Sequence, residues 1–289
     1  MSVAADVAVA STDASTDAAT SALTVPGNDR AFLYGDGVFE TLLLTRGTLL
    51  FLPLHLDRLL EGAKRLRIDV SRDQLAVELA SCIEQRPEHH AVVRITVSRG
   101  GGRRGYRPTQ GAGCNIHSAL SELSDDPLSA REAAQVNSST IRMAAQPLLA
   151  GIKHCNRLEQ VLAAMEAEDM EVDDVLLCRE GGQLQCSSNA NVFCVRGDAL
   201  LTPPCDVAGV AGTRRRLILD KLAGLAGFDA RVQPLTLDDL DAADAVFLSN
   251  SVMGIRAVAS LDGRPVGRSD AVSELQKLYR EEALACCAG

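Results

Sequence analysis

Lys153 stands in the segment GIKHCNRLEQ (151–160), between an apolar run that ends at Gly151 and an amphipathic stretch, with Ile152 beside it. Two readings are open. It is a solvated surface cation like most lysines, or an amine held against apolar surface, with a lowered pKa and a free lone pair. The second state is what Schiff-base chemistry requires.

Four other segments carry polar groups with a chemical use. Arg58 sits on a helical pattern over 53–67, where a solvated face is the plain alternative. GVAGTRR (209–215) is a Gly-rich turn running into a helix, and the free N–H groups of a helix start suit a phosphate. LSNS (248–251) ends a strand on hydroxyl and amide groups, as a turn or as donors to an anion. RGGGRRGYRP (99–108) is a basic loop whose Arg103 or Arg104, with Tyr106, could grip a carboxylate. The five histidines have no HExxH or other metal-ligand spacing, no CxxC pair occurs among nine cysteines, and G-x-S-x-G is absent. A metal site and a serine hydrolase are therefore poor readings.

These residues need a scaffold, and 289 residues with 46% apolar content supply one or two cores. With 29 basic against 38 acidic residues, the net charge of −9 disfavours nucleic acid and anionic membranes as partners. The odd number of cysteines, several in apolar runs, reads as a reduced cytosolic protein. No apolar run is long enough to span a membrane. Residues 1–26, rich in Ala, Ser, Thr and Asp, read as a mobile tail and not as a secretory signal.

Along the chain, 38–52 reads as a hairpin turning at Arg46-Gly47, followed by helices over 53–67 and 72–85 and a strand over 91–98. Strands are expected near 114–119 and 139–145, then a connector at AQPLLAG. A helix over 155–168 has Leu158, Val161, Leu162 and Met165 as its stripe. Strands over 174–202, a helix over 213–226, a strand over 244–250 and a closing helix over 269–286 complete the pattern. Without regular βαβ alternation the class is α+β. The expected division is a tail (1–26), an N-terminal α+β domain (27–146) and a C-terminal domain (147–289).

Seven segments in this order, DRAFLYGDGVFET, HLDRL, SRGGGRRGY, GIKHCNRLEQ, SSNANVFCV, AGVAGTRR and LSNSVMGIRAV, resemble the fold-type IV enzymes that use pyridoxal 5'-phosphate. The resemblance runs from about residue 29 to near the end. It implies a smaller N-terminal α/β domain and a larger C-terminal domain with a mixed, barrel-like sheet, paired as a homodimer. Lys153 would hold the cofactor and serve as general base and acid. Arg58 would bind its phosphate, with Gly212, Thr213, Arg214, Asn250 and Ser251 around it. Arg104, Tyr106 and Thr41 would face the substrate. GIKHCNRLEQ and SRGGGRRGY look most like the 4-amino-4-deoxychorismate lyases of the family. That implies the small molecule aminodeoxychorismate as substrate, with pyruvate and 4-aminobenzoate as products. A D- or branched-chain amino-acid aminotransferase, or a weakly active or non-catalytic relative, stays open. Cys186 departs from the pattern: relatives carry there the glutamate that pairs with the cofactor's ring nitrogen. A thiol is a poor substitute, so the ring becomes a weaker electron sink.

Overall fold

The computed structural model describes residues 24–85, 90–109, 111, 113–267 and 269–288. Most of the expected N-terminal tail lies outside the described residues. The chain runs α1 (Arg30–Tyr34), β1 (Gly37–Thr45), β2 (Thr48–Leu49), α2 (Leu52–Leu66), α3 (Arg72–Gln85), β3 (His90–Ser98), β4 (Asn115–Leu123) and β5 (Ala134–Met143). It continues with α4 (Leu158–Asp169), β6 (Asp174–Arg179), β7 (Leu184–Ser187), β8 (Asn191–Arg196) and β9 (Ala199–Thr202). Then come α5 (Thr213–Leu217), a π-helical turn (Ile218–Leu222), α6 (Ala223–Leu225), β10 (Asp229–Val232) and α7 (Leu237–Asp241). The last elements are β11 (Ala245–Asn250), β12 (Gly254–Leu261), β13 (Arg264–Pro265) and α8 (Asp270–Ala288).

The first sheet is antiparallel, in the order β2-β1-β3-β4. Its hairpin turns on Arg46 (φ 50°) and Gly47 (φ 70°), two left-handed residues between the paired Thr45 and Thr48. That geometry matches the twist of the flanking strands. Side chains alternate across β1. Val38, Leu42 and Leu44 pack with Leu56, Leu59 and Ala63 of α2 and Leu75 and Leu79 of α3. On the opposite face Leu43 joins Phe51, Phe193 and Phe247 in a core shared with the second sheet. Phe39 and Thr41 lie on that same face by alternation, turned toward the second sheet.

The second sheet is mixed, in the order β10-β9-β8-β11-β12-β5-β6-β7, with β13 on β12. It claims β5, which the sequence reading had placed in the N-terminal domain. That strand pairs in parallel with β6 and with β12, so the passage between sheets falls between β4 and β5 and not at 146–147. The second correction concerns α4. Its buried side are Ala163 and Ala167, while Leu158, Val161, Leu162 and Met165 are 77, 50, 51 and 55% exposed. The expected stripe exists, but it faces outward. The third is the expected helix over 213–226, which is interrupted by the π-helical turn. No helix among the described residues is long and apolar enough to cross a membrane, and all nine cysteines are free.

Candidate active site

Lys153 is not on a helix. Its segment is extended and tied on both sides. Phe39 N–H donates to Lys153 O at 2.9 Å, and Cys155 N–H to Gly37 O at 2.9 Å, which stitches it to β1. On the other side Gly151 N–H donates to Gly209 O at 3.0 Å, and Ala211 N–H to Gly151 O at 3.0 Å. Gly151 has φ 82°, and a Cβ there would press on the Cys205 carbonyl, so glycine suits this crossing. The amine is thereby fixed in the seam between the sheets, its Nζ 4.4 Å from the centroid of the Phe39 ring.

This location sets its protonation. Burial comes first in lowering the Lys153 pKa from 10.5 to about 7, and the Arg58 guanidinium comes next. Glu40 pulls the other way, while Arg157 and Arg94 add to the depression. At neutral pH a large share of the amine is unprotonated, the nucleophilic state that sequence alone left open.

Next to it runs a buried polar chain. Glu40 accepts from Arg58 Nε and Nη2 at 2.6 and 2.7 Å and from His55 Nδ1 at 2.6 Å. Burial opposes the Glu40 charge, but Arg58 and His55 outweigh it and hold the pKa at about 2. Burial holds His55 at about 4, so it is neutral at pH 7. Its one proton lies on Nδ1 toward Glu40, which leaves Nε2 as acceptor for Arg214 Nη1 at 3.2 Å and for the Thr213 hydroxyl at 3.4 Å. Arg58 Nη1 reaches the Ala211 carbonyl at 3.0 Å, tying α2 to the turn before α5.

That turn forms a cradle. The N-cap of α5 is Gly212, and the first-turn N–H groups of α5 point out of this end. A Cβ at Gly212 would collide with Asn191 Oδ1, whose Nδ2 donates to Val210 O at 2.9 Å. Ser249, paired with Asn191 across β8 and β11, is 1% exposed, and its hydroxyl has no partner among the described residues. A buried hydroxyl without a partner is costly unless a ligand or an ordered water completes it.

Not every predicted residue meets here through its side chain. The Arg214 guanidinium is buried against the Phe51 ring and spends its donors on His55, the Tyr279 hydroxyl and Ser251 O. It braces the cradle from behind, and only its backbone lies at the helix start. Asn250 likewise holds a turn, its Oδ1 accepting from Val252 and Met253 N–H at 3.0 and 2.8 Å. Thr41 is half-buried on the Phe39 face of β1. Tyr106 is 84% exposed, its ring tilted against that of Tyr34 with centroids 5.3 Å apart, while Arg30 holds the Gly105 and Tyr106 carbonyls. Arg104 is exposed, and among the described residues neither it nor Tyr106 touches Lys153, Arg58 or Thr213.

Cys186 is buried with its Sγ 3.4 Å from Met143 Sδ, and burial drives its thiol well above the ordinary range. It is a neutral group. Gln185 beside it is the extra residue of a bulge opposite Leu177 and Cys178. Its side chain donates to Pro204 O at 2.7 Å. Arg157 donates from Nε to His154 O at 2.8 Å, and its buried Nη2 has no partner among the described residues. Sequence reasoning missed Glu40, His55 and Asn191, and it offered Ser249 only as part of the LSNS strand end. The spacing of Glu40 one residue before Thr41 gave no sign of a buried carboxylate, because that role depends on α2 lying over β1.

Residues 37–261 match the family model of amino-transferase class IV. The chain belongs to that family. An aminodeoxychorismate lyase of Vibrio harveyi is 33% identical over 238 residues, 82% of this chain and 87% of the relative. The crystal structure of a 4-amino-4-deoxychorismate lyase from Pseudomonas aeruginosa has a TM-score of 0.81 at 33% identity, covering 90% of this chain and 96% of that one. A branched-chain amino acid aminotransferase of Escherichia coli gives the same TM-score at 25% identity, covering 90 and 91%. The fold is that of the fold-type IV enzymes, as the ordered segments implied.

Class IV enzymes use pyridoxal 5'-phosphate. The residues present fit it. A desolvated amine with a pKa of about 7 suits its carbonyl, and an unpartnered Ser249 hydroxyl beside a glycine-lined helix start suits its phosphate.

Proposed function

We propose that this class IV enzyme is a 4-amino-4-deoxychorismate lyase. It would eliminate pyruvate from aminodeoxychorismate and leave 4-aminobenzoate, a step of folate synthesis in the cytoplasm. The observation that carries this choice is Cys186, a neutral buried thiol at the position where the resemblance puts a glutamate. Loss of that carboxylate weakens the cofactor ring as an electron sink. A lyase reaction that ends in an aromatic ring tolerates this better than a transamination does. The similarity to two lyases at 33% identity supports the same choice.

When bound, pyridoxal 5'-phosphate supplies a carbonyl for the substrate amine and a ring that withdraws electrons from the amine-bearing carbon. Lys153 would hold the cofactor. Arg58, the N–H groups at Gly212–Arg214, and Ser249 and Ser251 would bind its phosphate. Lys153 Nζ, as a free amine, takes the proton from the amine-bearing carbon, and the enolpyruvyl group leaves with its C–O electron pair. Lys153 then returns a proton. Thr41, with Arg104 and Tyr106 of the exposed loop, would meet the substrate once a second copy is in place. The outward stripe of α4, with Leu148 at 76% exposure, supports a homodimer.

Incubation of the cofactor-loaded protein with aminodeoxychorismate should release 4-aminobenzoate and pyruvate in equal amounts, and absence of both overturns the reading. The match to the branched-chain aminotransferase favours a second reading. Conversion of the cofactor to its pyridoxamine form by amino acids, without lyase activity, would establish it.

A further inference from the structure

Arg214 follows Thr213 in the first turn of α5, and its side chain lies in the core behind the cradle. It is 1% exposed, with its guanidinium carbon 4.4 and 5.9 Å from the ring centroids of Phe51 and Tyr279. Its donors meet neutral acceptors: His55 Nε2 at 3.2 Å, Thr213 Oγ1 at 3.4 Å, Ser251 O at 3.1 Å and the Tyr279 hydroxyl at 3.3 Å. All four are longer than the 2.6 and 2.7 Å bonds from Arg58 to Glu40. They are also longer than charge-assisted bonds in general, which run at about 2.7–2.9 Å. Among the described residues no carboxylate pairs with Arg214.

The buried charges therefore do not balance. Arg58 offsets Glu40, and His55, which stands between Glu40 and Arg214, is neutral at pH 7. The Arg214 charge is left over. The surrounding elements supply no anion: α8 presents the Tyr279 hydroxyl, the turn after β11 presents Ser251 O, and Lys153, Arg94 and Arg157 in the seam are basic. A buried cation without an opposite charge is costly, and an apolar side chain would fill the space more cheaply. The missing negative charge is what a ligand would bring. Two of the Arg214 contacts, Thr213 and Ser251, belong to the residues expected around the cofactor phosphate. The Thr213 hydroxyl accepts from Arg214 Nη1 and can turn its hydrogen from His55 to an anion in the cradle.

We propose that Arg214 is the remote counter-charge of the cofactor phosphate: a positioning residue that does not touch the phosphate, holds it as a dianion through Thr213 and Ser251, and makes the protein select the phosphorylated cofactor over pyridoxal. The proposal rests on the placement of the phosphate among Arg58, Gly212–Arg214, Ser249 and Ser251. It is independent of the choice between lyase and aminotransferase.

Pyridoxal keeps the carbonyl and lacks the phosphate, so the two ligands separate charge from shape. Each is titrated by absorbance into cofactor-free parent, Arg214→Gln and Arg214→Lys proteins. In Arg214→Gln the affinity for pyridoxal 5'-phosphate should fall roughly 10- to 100-fold, while that for pyridoxal changes by less than about threefold. Arg214→Lys keeps the charge in poorer geometry and should retain most of the preference. A purely structural brace would weaken both ligands alike and would not be rescued by lysine; that pattern overturns the proposal. The phosphorus magnetic resonance signal of the bound cofactor is the second readout. A free phosphate takes up a proton near pH ~6. In the parent the signal should stay at its dianion position down to about pH 5, and in Arg214→Gln the titration should move up by about 1–3 units. Glu40 stays ionised and His55 mostly neutral over that range, and Lys153 is common to both proteins. A parent signal that titrates near pH ~6 overturns the proposal, whether or not a variant folds. A parent that binds pyridoxal as tightly as its phosphate overturns the phosphate placement, and this proposal with it. A parent that prefers the phosphate, beside a folded Arg214→Gln that prefers it equally, overturns the role of Arg214 alone.

Discussion

Replacing Glu40 by glutamine tests the buried chain behind the cradle. Glu40 is 1% exposed and accepts three hydrogen bonds from Arg58 and His55. Its carboxyl is lowered from 4.5 to about 2. At about 1.4 kcal/mol per unit, that drop corresponds to roughly 3 kcal/mol of native stability held by the ionised form at pH 7. Glutamine keeps the shape but turns one acceptor into a donor. If its amide faces His55, the ring must change tautomer, and its Nε2–H then meets the donor Arg214 Nη1. If it faces Arg58, two donors oppose each other. Removal of one partner from a buried ion pair costs about 3–5 kcal/mol, and the whole loss at pH 7 should fall in that range.

The assay is urea unfolding of parent and Glu40→Gln at pH 7 and at steps down to pH 2.5. A carboxyl with a depressed folded pKa contributes its stability above 4.5 and loses it as pH falls toward about 2. The gap between the two proteins should therefore be full at pH 7 and shrink across that acid window. Cofactor affinity should fall as well, because Arg58 loses the anchor that aims it at Ala211 O. A variant within about 1 kcal/mol of the parent at pH 7, or a gap that does not change with pH, would refute the reasoning.

Three further outcomes follow from the same geometry. Borohydride trapping of pyridoxal on Lys153 in the cofactor-free protein should rise through about pH 7, because the free amine exists above its pKa; a midpoint near 10.5 would contradict the burial account. Gly212→Ala places a methyl group on Asn191 Oδ1 and should cost about 1–3 kcal/mol in urea unfolding and weaken cofactor binding, whereas Gly224→Ala, with open space around it, should do neither. Cys186→Glu gives the cofactor ring a carboxylate, so conversion to the pyridoxamine form by amino acids should speed up; stopped-flow absorbance showing no change would remove the electronic argument.

The legible parts of the sequence were those whose signals are local. Arg46-Gly47 between two apolar runs announces its hairpin, and Leu56, Leu59 and Ala63 announce α2 and its buried face. Lys153 stood out because its neighbours are apolar on one side and amphipathic on the other. Other features depend on which distant element covers a residue. The stripe of α4 is real, but periodicity does not say which side of a helix the rest of the chain occupies, and two alanines fill that place. β5 read as the end of the N-terminal segment, and its place in the second sheet was hidden because its partners β6 and β12 pair in parallel, through connections that leave no turn signal. Arg94 meets Thr41 only once β1 and β3 are in register, and Arg214 disappears into the core only because Phe51, Tyr279 and His55 close around it.

The extended crossing at 151–155 has a consequence for motion. Its four backbone hydrogen bonds run two to β1 and two to the 209–211 segment, so the backbone that carries the reactive amine is also the strap between the sheets. Any rotation of one sheet against the other shears the core they share and drags Lys153 with it. The sheets can breathe independently only by giving up the position of the amine. The amides of Phe39, Gly151, Cys155 and Ala211 should accordingly exchange with solvent as one cooperative unit, at a rate that reports how often the catalytic geometry comes apart.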